Sequence, residues 1–154
     1  MKKAYRVLAR LIAALVVVQA AAIAYGAFAI SKVIDKAKDH GDTISNASTK
    51  LDGGTGYGIH GLVGMLLIPL VAIILFVVAF MAHIPDGVKW AGFILLDVVV
   101  QVVLGLAAHS VAALGWLHGP NALVLFALAI YTARRVAADP LTESVAASAP
   151  ATAG

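Results

Sequence analysis

The sequence predicts an all-α integral membrane protein, a four-helix bundle with both termini cytoplasmic. Three observations lead there. Of its 154 residues, 62% are hydrophobic and only 12% are charged, where an ordinary soluble domain carries about 25%. Four runs are long and apolar enough to cross a hydrocarbon core of ~30 Å, which takes about 20 helical residues. Basic residues gather at one end of these runs, as the positive-inside rule requires of cytoplasmic segments. A soluble globular enzyme is excluded, because so much apolar surface could not be covered. The lack of cysteine excludes a disulfide framework, an Fe–S cluster, a thiolate zinc site and covalently attached haem c. The net charge of +3 and pI near 9.3 reflect placement around a bilayer, and no nucleic-acid partner is expected.

The first span covers about residues 8–30, with the charge-free run Leu11 to Ile30 following Lys2, Lys3, Arg6 and Arg10. A basic start and small residues around Ala27-Phe28-Ala29 resemble a signal peptide. Twenty apolar residues exceed the usual h-region of about 7–15, so a retained helix is expected. In the outer loop, Lys32, Lys36, Lys38 and Lys50 are offset by Asp35, Asp39, Asp42 and Asp52. A short surface helix near Val33, Ile34 and Ala37 is expected there, then a flexible glycine-rich stretch leading to His60. The second span covers about 60–83, and Pro69 should kink it. His83 to Lys89 is a tight inner turn built on Pro85-Asp86-Gly87, with His83 and Asp86 capping it.

The third span covers about 89–113 and carries Asp97 and Gln101. Trp116 to Asn121 is the outer turn, and Pro120 fits the first turn of the helix after it. The fourth span, about 118–135, ends at Arg134-Arg135. Residues 1–138 thus form the bundle, and the Ala/Ser/Thr/Pro-rich tail 139–154 reads as disordered. No internal repeat is evident beyond one feature that the second and fourth spans share.

That feature is a histidine. His60 and His118 open two spans that both run from outside to inside, so their imidazoles lie at similar depth. In a bundle with sequential neighbours these spans face each other across the diagonal. Two neutral imidazoles approaching from opposite sides are what an axially ligated haem iron needs. Gly61, Gly64, Gly105, Ala107, Ala108 and Ala122 leave room for a flat macrocycle, though small residues also serve plain helix contact. The plain alternative for each histidine is an interfacial ring that reaches headgroups and water. His109, near the outer end of the third span, is a spare ligand, a propionate partner or a group behind the ligands.

Asp97 is an intramembrane carboxyl, costing ~2.5–3.5 kcal/mol on the insertion scale. A neutral hydrogen-bonded carboxyl, served by Tyr131, is the plain reading and a proton relay the functional one. Gln19 and Gln101 lie at similar middle depth and are expected to bond to one another.

Two openings carry a family resemblance: His60-Gly-Leu-Val-Gly64 and His118-Gly-Pro-Asn-Ala122. With the span layout they resemble one four-helix half of the haem A synthase family. The chain is also similar to small actinobacterial-type four-helix membrane proteins of unknown function, which open the last helix with His-Pro-x-Asn-Ala. The resemblance covers the layout of residues 1 to about 138 and implies a haem b held by His60 and His118. The chain departs from the synthase pattern in having one half only, in lacking the Glu and Arg beside the histidines, and in placing Gly119 between His118 and Pro120. Synthase chemistry is therefore not carried over.

The expected function is that of a small b-type cytochrome-like protein in the plasma membrane, binding one haem b through His60 and His118, with Gly64 and His109 lining the cofactor. Its use would be electron transfer or haem handling, alone, as a homo-oligomer or beside a larger respiratory complex. No catalytic residue is identifiable, which weighs against an enzyme. The alternatives are a haem-free scaffold subunit and a small proton-coupled transporter using Asp97.

Overall fold

In the computed structural model, residues 1–40 and 53–137 are described, and every element within them is helical. Helix α1 (Lys2–His40) is the first span. The second consists of α2 (Gly53–Leu62), a π-helical turn (Val63–Leu67) and α3 (Ile68–Ala82). Helix α4 (Gly87–Ala108) is the third span, and a 3₁₀ turn (Ala112–Leu114) leads into the fourth, α5 (Gly115–Ala137). All four are long and apolar enough to cross a membrane. Each packs on its sequence neighbours, and α1 closes the ring against α5. The second and fourth spans therefore face each other across a diagonal.

Several boundaries differ from expectation. Helix α1 continues unbroken to His40, so Val33 and Ile34 belong to it and not to a separate surface helix. At 39 residues it is roughly 58 Å long, longer than the ~30 Å of a bilayer core, and its charged residues from Lys32 on lie beyond the apolar run. The glycine-rich stretch from Gly53 is helical because it packs directly on α1. A Cβ on Gly56 would lie 2.5 Å from the Ala22 carbonyl oxygen, so only glycine permits this approach. The third span stops at Ala108, and the connection that follows is His109–Leu114, not Trp116–Asn121. The fourth helix starts at Gly115, which places His118 inside its first turn. The segment 41–52 and the tail 138–154 lie outside the described residues.

The core is a stripe on each helix. Tyr5, Ala9, Ile12 and Val16 of α1 are buried, as are Ala91, Ile94 and Val98 of α4 and Ile68, Ala72 and Leu75 of α3. Against expectation, these stripes repeat. Tyr5 and Gly87 are 82 positions apart and in contact, and the pairs Ala9/Ala91, Ile12/Ile94 and Val16/Val98 keep the same offset and are all buried. Both stripes end in Val-Val-Val-Gln, at Gln19 and Gln101. The chain is two helical hairpins of one pattern, each closing with a His-Gly pair.

The π turn reconciles their lengths. Ile68 N–H bonds to Val63 O, a five-residue step, directly before Pro69, which has no N–H to give. His60 is followed by buried Ile68 eight positions on, and His118 by buried Leu125 seven positions on. A π turn holds one extra residue, so it restores the phase of the second span. A bulge, and not only a kink, is therefore how the helix accommodates Pro69.

The start of α1, the end of α5 and the His83–Asp86 turn share one end. His83 and Asp86 both have positive φ, 50° and 56°. The ring of His83 bonds to Met81 O at 3.0 Å, not to Asp86 as expected. Asp86 instead pairs with Arg135 at 3.5 Å, and that guanidinium lies over the rings of Trp90 and Tyr131. Tyr5 closes the end from the other side, donating from its buried hydroxyl to Gly87 O at 2.7 Å.

Candidate functional site: a histidine pair inside the bundle

At the opposite end, the rings of His60 and His118 meet across the diagonal. Their centroids are 6.1 Å apart, at an interplanar angle of 68°. Both rings line a cavity of about 310 Å³ walled by all four spans, the lower end of the ~300–1,000 Å³ range of ligand pockets. Gly61, Gly64, Gly105 and Ala122 contribute to its wall as expected, and so does His109. Its lining is otherwise largely aliphatic, with Val16, Ile23, Met65, Ile68, Val98 and Leu106 among the residues.

The two histidines are held differently. His118 Nδ1 is 3.1 Å from Gln101 O; a carbonyl only accepts, so Nδ1 carries the proton and Nε2 keeps its lone pair. Gln101 Nε2 donates to His118 O at 3.1 Å and to His118 Nε2 at 3.3 Å. Asn121 Nδ2 completes the network by donating to Gln101 Oε1 at 2.8 Å. Behind the ring, a Cβ on Gly105 would sit 3.0 Å from His118 Cε1. His60 is anchored only through its backbone, its carbonyl accepting from Gln19 Nε2 at 3.0 Å. Its Nδ1 is buried with no partner, and so is Oε1 of Gln19.

The two glutamines do not bond to each other, contrary to expectation. Each instead donates to the carbonyl of a histidine on the neighbouring span, the same contact made once per hairpin. Gly64 permits one of them, since a Cβ there would lie 2.9 Å from Gln19 Nε2. Sequence reasoning missed these roles and that of Asn121. The signal available was the repeated Val-Val-Val-Gln segment, which puts one amide at the same level of each hairpin.

His109 ends α4, exposed, with Nδ1 donating to Gly105 O at 2.9 Å, so it stands at the rim of the cavity. Asp97 faces Asn121, and its Oδ2 is buried without a partner. Tyr131 does not serve it: the phenol oxygen accepts from Arg135 at 3.0 Å. Among the described residues no three His, Cys, Asp or Glu side chains gather into a metal-holding group. A bare ion caged by three such ligands is therefore not offered by them, nor is a cluster of acids around Asp97. Comparison with known protein families, with curated proteins and with solved structures gives no match.

Two opposed imidazoles sharing one metal, with bonds of ~2.0–2.1 Å, have ring centroids roughly 6 Å apart. The observed separation meets that requirement. The glycine-walled cavity and the unpartnered Nδ1 of His60 leave room beside the rings, but His118 Nε2 accepts from Gln101 Nε2, so that amide would have to turn away before the ring could ligate a metal.

Proposed function

We propose that the protein is a membrane-embedded b-type cytochrome-like protein holding one haem b between His60 and His118. The observation that carries this reading is the approach of the two rings, from diagonal spans, to the spacing that one metal spans. His118 would ligate through Nε2 once the Gln101 amide that now donates to it turns away, with its Nδ1–H held by Gln101 O; such a bond fixes the ring and raises ligand basicity. Gly64, Gly105 and Ala122 leave space beside the rings, and His109 at the rim offers a donor to a propionate. When bound, haem supplies one-electron redox chemistry, with its potential set by ligand identity and burial. The resemblance of the two His-Gly openings to a haem A synthase half supports binding but brings no synthase chemistry with it.

Electron transfer or haem handling in the plasma membrane is the use proposed, with the basic end carrying both termini in the cytoplasm. The apolar exterior takes the lipid bilayer as its partner, and a respiratory complex is a proposed redox partner.

The test is a reduced-minus-oxidised spectrum of the detergent-purified protein expressed with haem precursor. Sharp b-type bands are expected, lost in both His60→Ala and His118→Ala. A folded but colourless wild-type protein would refute the proposal and leave a haem-free scaffold subunit.

A further inference from the structure

The duplication supplies an internal control for the polar residues behind the histidines. Counting back from the paired glutamines, Asp97 corresponds to Leu15; counting on from the paired histidines, Asn121 corresponds to Val63. All four are half-buried, and Leu15 and Val63 pack against the core. Two aliphatic side chains therefore serve the fold at these positions. A carboxyl inside a span is expensive and points to a function.

What the polar pair changes is the histidine beside it. In both hairpins a glutamine amide donates to the carbonyl of the histidine. In the first, Gln19 Oε1 has no partner, and neither has Nδ1 of the His60 ring. In the second, Gln101 Oε1 accepts from Asn121 Nδ2 at 2.8 Å, and Gln101 Nε2 caps His118 Nε2 at 3.3 Å. The direction of each bond in this chain is dictated. Asp97 takes a hydrogen bond from Asn121, and Gln101 Oε1 can only accept. The hydrogens of the Asn121 amide nitrogen serve both acceptors, so neither amide can turn end for end. Gln101 thus keeps its own nitrogen toward the imidazole, whose Nδ1–H is given to Gln101 O.

Resting on the haem reading for the nature of the ligand alone, we infer that Asp97 and Asn121 are positioning residues. Through Gln101 they form a latch that caps the lone pair of His118, and the ring takes up a ligand only when the latch opens. Opening requires the Gln101 amide to give up its bonds to His118 Nε2, His118 O and Asn121 together. His60, whose glutamine reaches only its carbonyl, has no such cap. The second hairpin therefore sets how fast the site loads.

The test uses the full-length protein expressed without haem precursor. Its probe is diethyl pyrocarbonate, which acylates an unbonded imidazole lone pair, read at each histidine by mass spectrometry. Asn121→Val and Asp97→Leu install the residues of the first hairpin, so both variants should fold with an unchanged or raised melting temperature. In each, acylation of His118 should quicken about two- to tenfold, the worth of one hydrogen bond, while that of His60 stays constant. Asp97→Asn keeps an acceptor for Asn121 and should behave as wild type. Nitrogen NMR gives a second reading: His118 Nε2 should move toward the shift of an unbonded nitrogen in the two aliphatic variants only.

An unchanged His118 in Asn121→Val, or equal quickening at His60 and His118, overturns the inference. So does an Asp97→Asn variant as reactive as Asp97→Leu. Failure of both aliphatic variants to fold would make the pair structural and sink the latch as well. Each readout is taken without haem, so a colourless wild-type protein is a different failure, that of the parent proposal.

Discussion

Gly105 and Gly61 look alike in the sequence, each a glycine in an apolar helix, yet the structure assigns them opposite tolerances. An alanine at 105 would bring its Cβ to 3.0 Å from Cε1 and 3.3 Å from Nδ1 of His118. Both ring nitrogens are tied to Gln101, one turn before Gly105 on the same helix, so the ring cannot retreat without breaking those bonds. Gly105→Ala should therefore destabilise the protein by about 1–3 kcal/mol, the usual cost of overpacking. At Gly61 nothing lies within 4 Å of the new atom, and the better helix propensity of alanine, about 1 kcal/mol over glycine, should leave stability unchanged or raised. Thermal unfolding in detergent by circular dichroism checks both, and equal effects would show that His118 is not held as described. At this scale the sequence revealed His60, His118 and Gly64, because positions at matching ends of co-directional helices can be counted. It did not reveal that Gln19 and Gln101 each choose a histidine carbonyl. That choice depends on helix rotation within the bundle, which apolar runs of all-round hydrophobicity leave undetermined.

Among the elements, span existence was legible and span ends were not. Twenty apolar residues announce a helix, but the chain between apolar runs can continue helical when glycines let it pack, as Gly56 does on α1. Pro69 was visible as a disturbance, and its form was not: a kink and a π turn both relieve a missing N–H, and only the packed neighbours decide between them. The π turn makes a sharp prediction. If Val63–Leu67 holds one residue more than the fourth span needs, deleting the exposed Leu66 together with Pro69→Ala should leave a continuous α-helix with His60 still facing the cavity. The alanine is required because a proline in an unbroken helix interior costs about 3 kcal/mol. Deleting the equally lipid-facing Val124 from the fourth span should be destructive, since it turns everything above it by about 100° and carries Asn121 and His118 away from Gln101. Yield of monodisperse protein and its melting temperature measure the contrast. A double variant as damaged as the Val124 deletion would mean that the π turn is not a spare residue.

For the molecule as a whole, duplication and charge together predict which end faces which compartment. Two hairpins of one pattern, related by a parallel repeat, put like features at the same end: the two histidines at one, the start of α1, the end of α5 and the His83–Asp86 turn at the other. That second end carries Lys2, Lys3, Arg6, Arg10, Lys89, Arg134 and Arg135, with no excess of acids to offset them. Arg135 pairs there with Asp86 and the pair is exposed, so it contributes little to stability, about 0–1 kcal/mol. The other end has Lys32, Lys36 and Lys38, balanced in part by Asp35 and Asp39 on the same projecting helix. Orientation follows Lys and Arg near the span ends, in which acids count for little, and the first and last spans agree. A reporter inserted at residue 86 should therefore read cytoplasmic and one at residue 45 should read external. The histidine cavity would then open toward the external leaflet, so a redox partner would reach it from that side. Neutralising the first four basic residues at once should produce a mixed orientation rather than a full inversion, because Lys89, Arg134 and Arg135 still hold the other three span ends inside. A wild-type protein with residue 86 outside would reverse the assignment and move the proposed electron entry to the opposite face of the membrane.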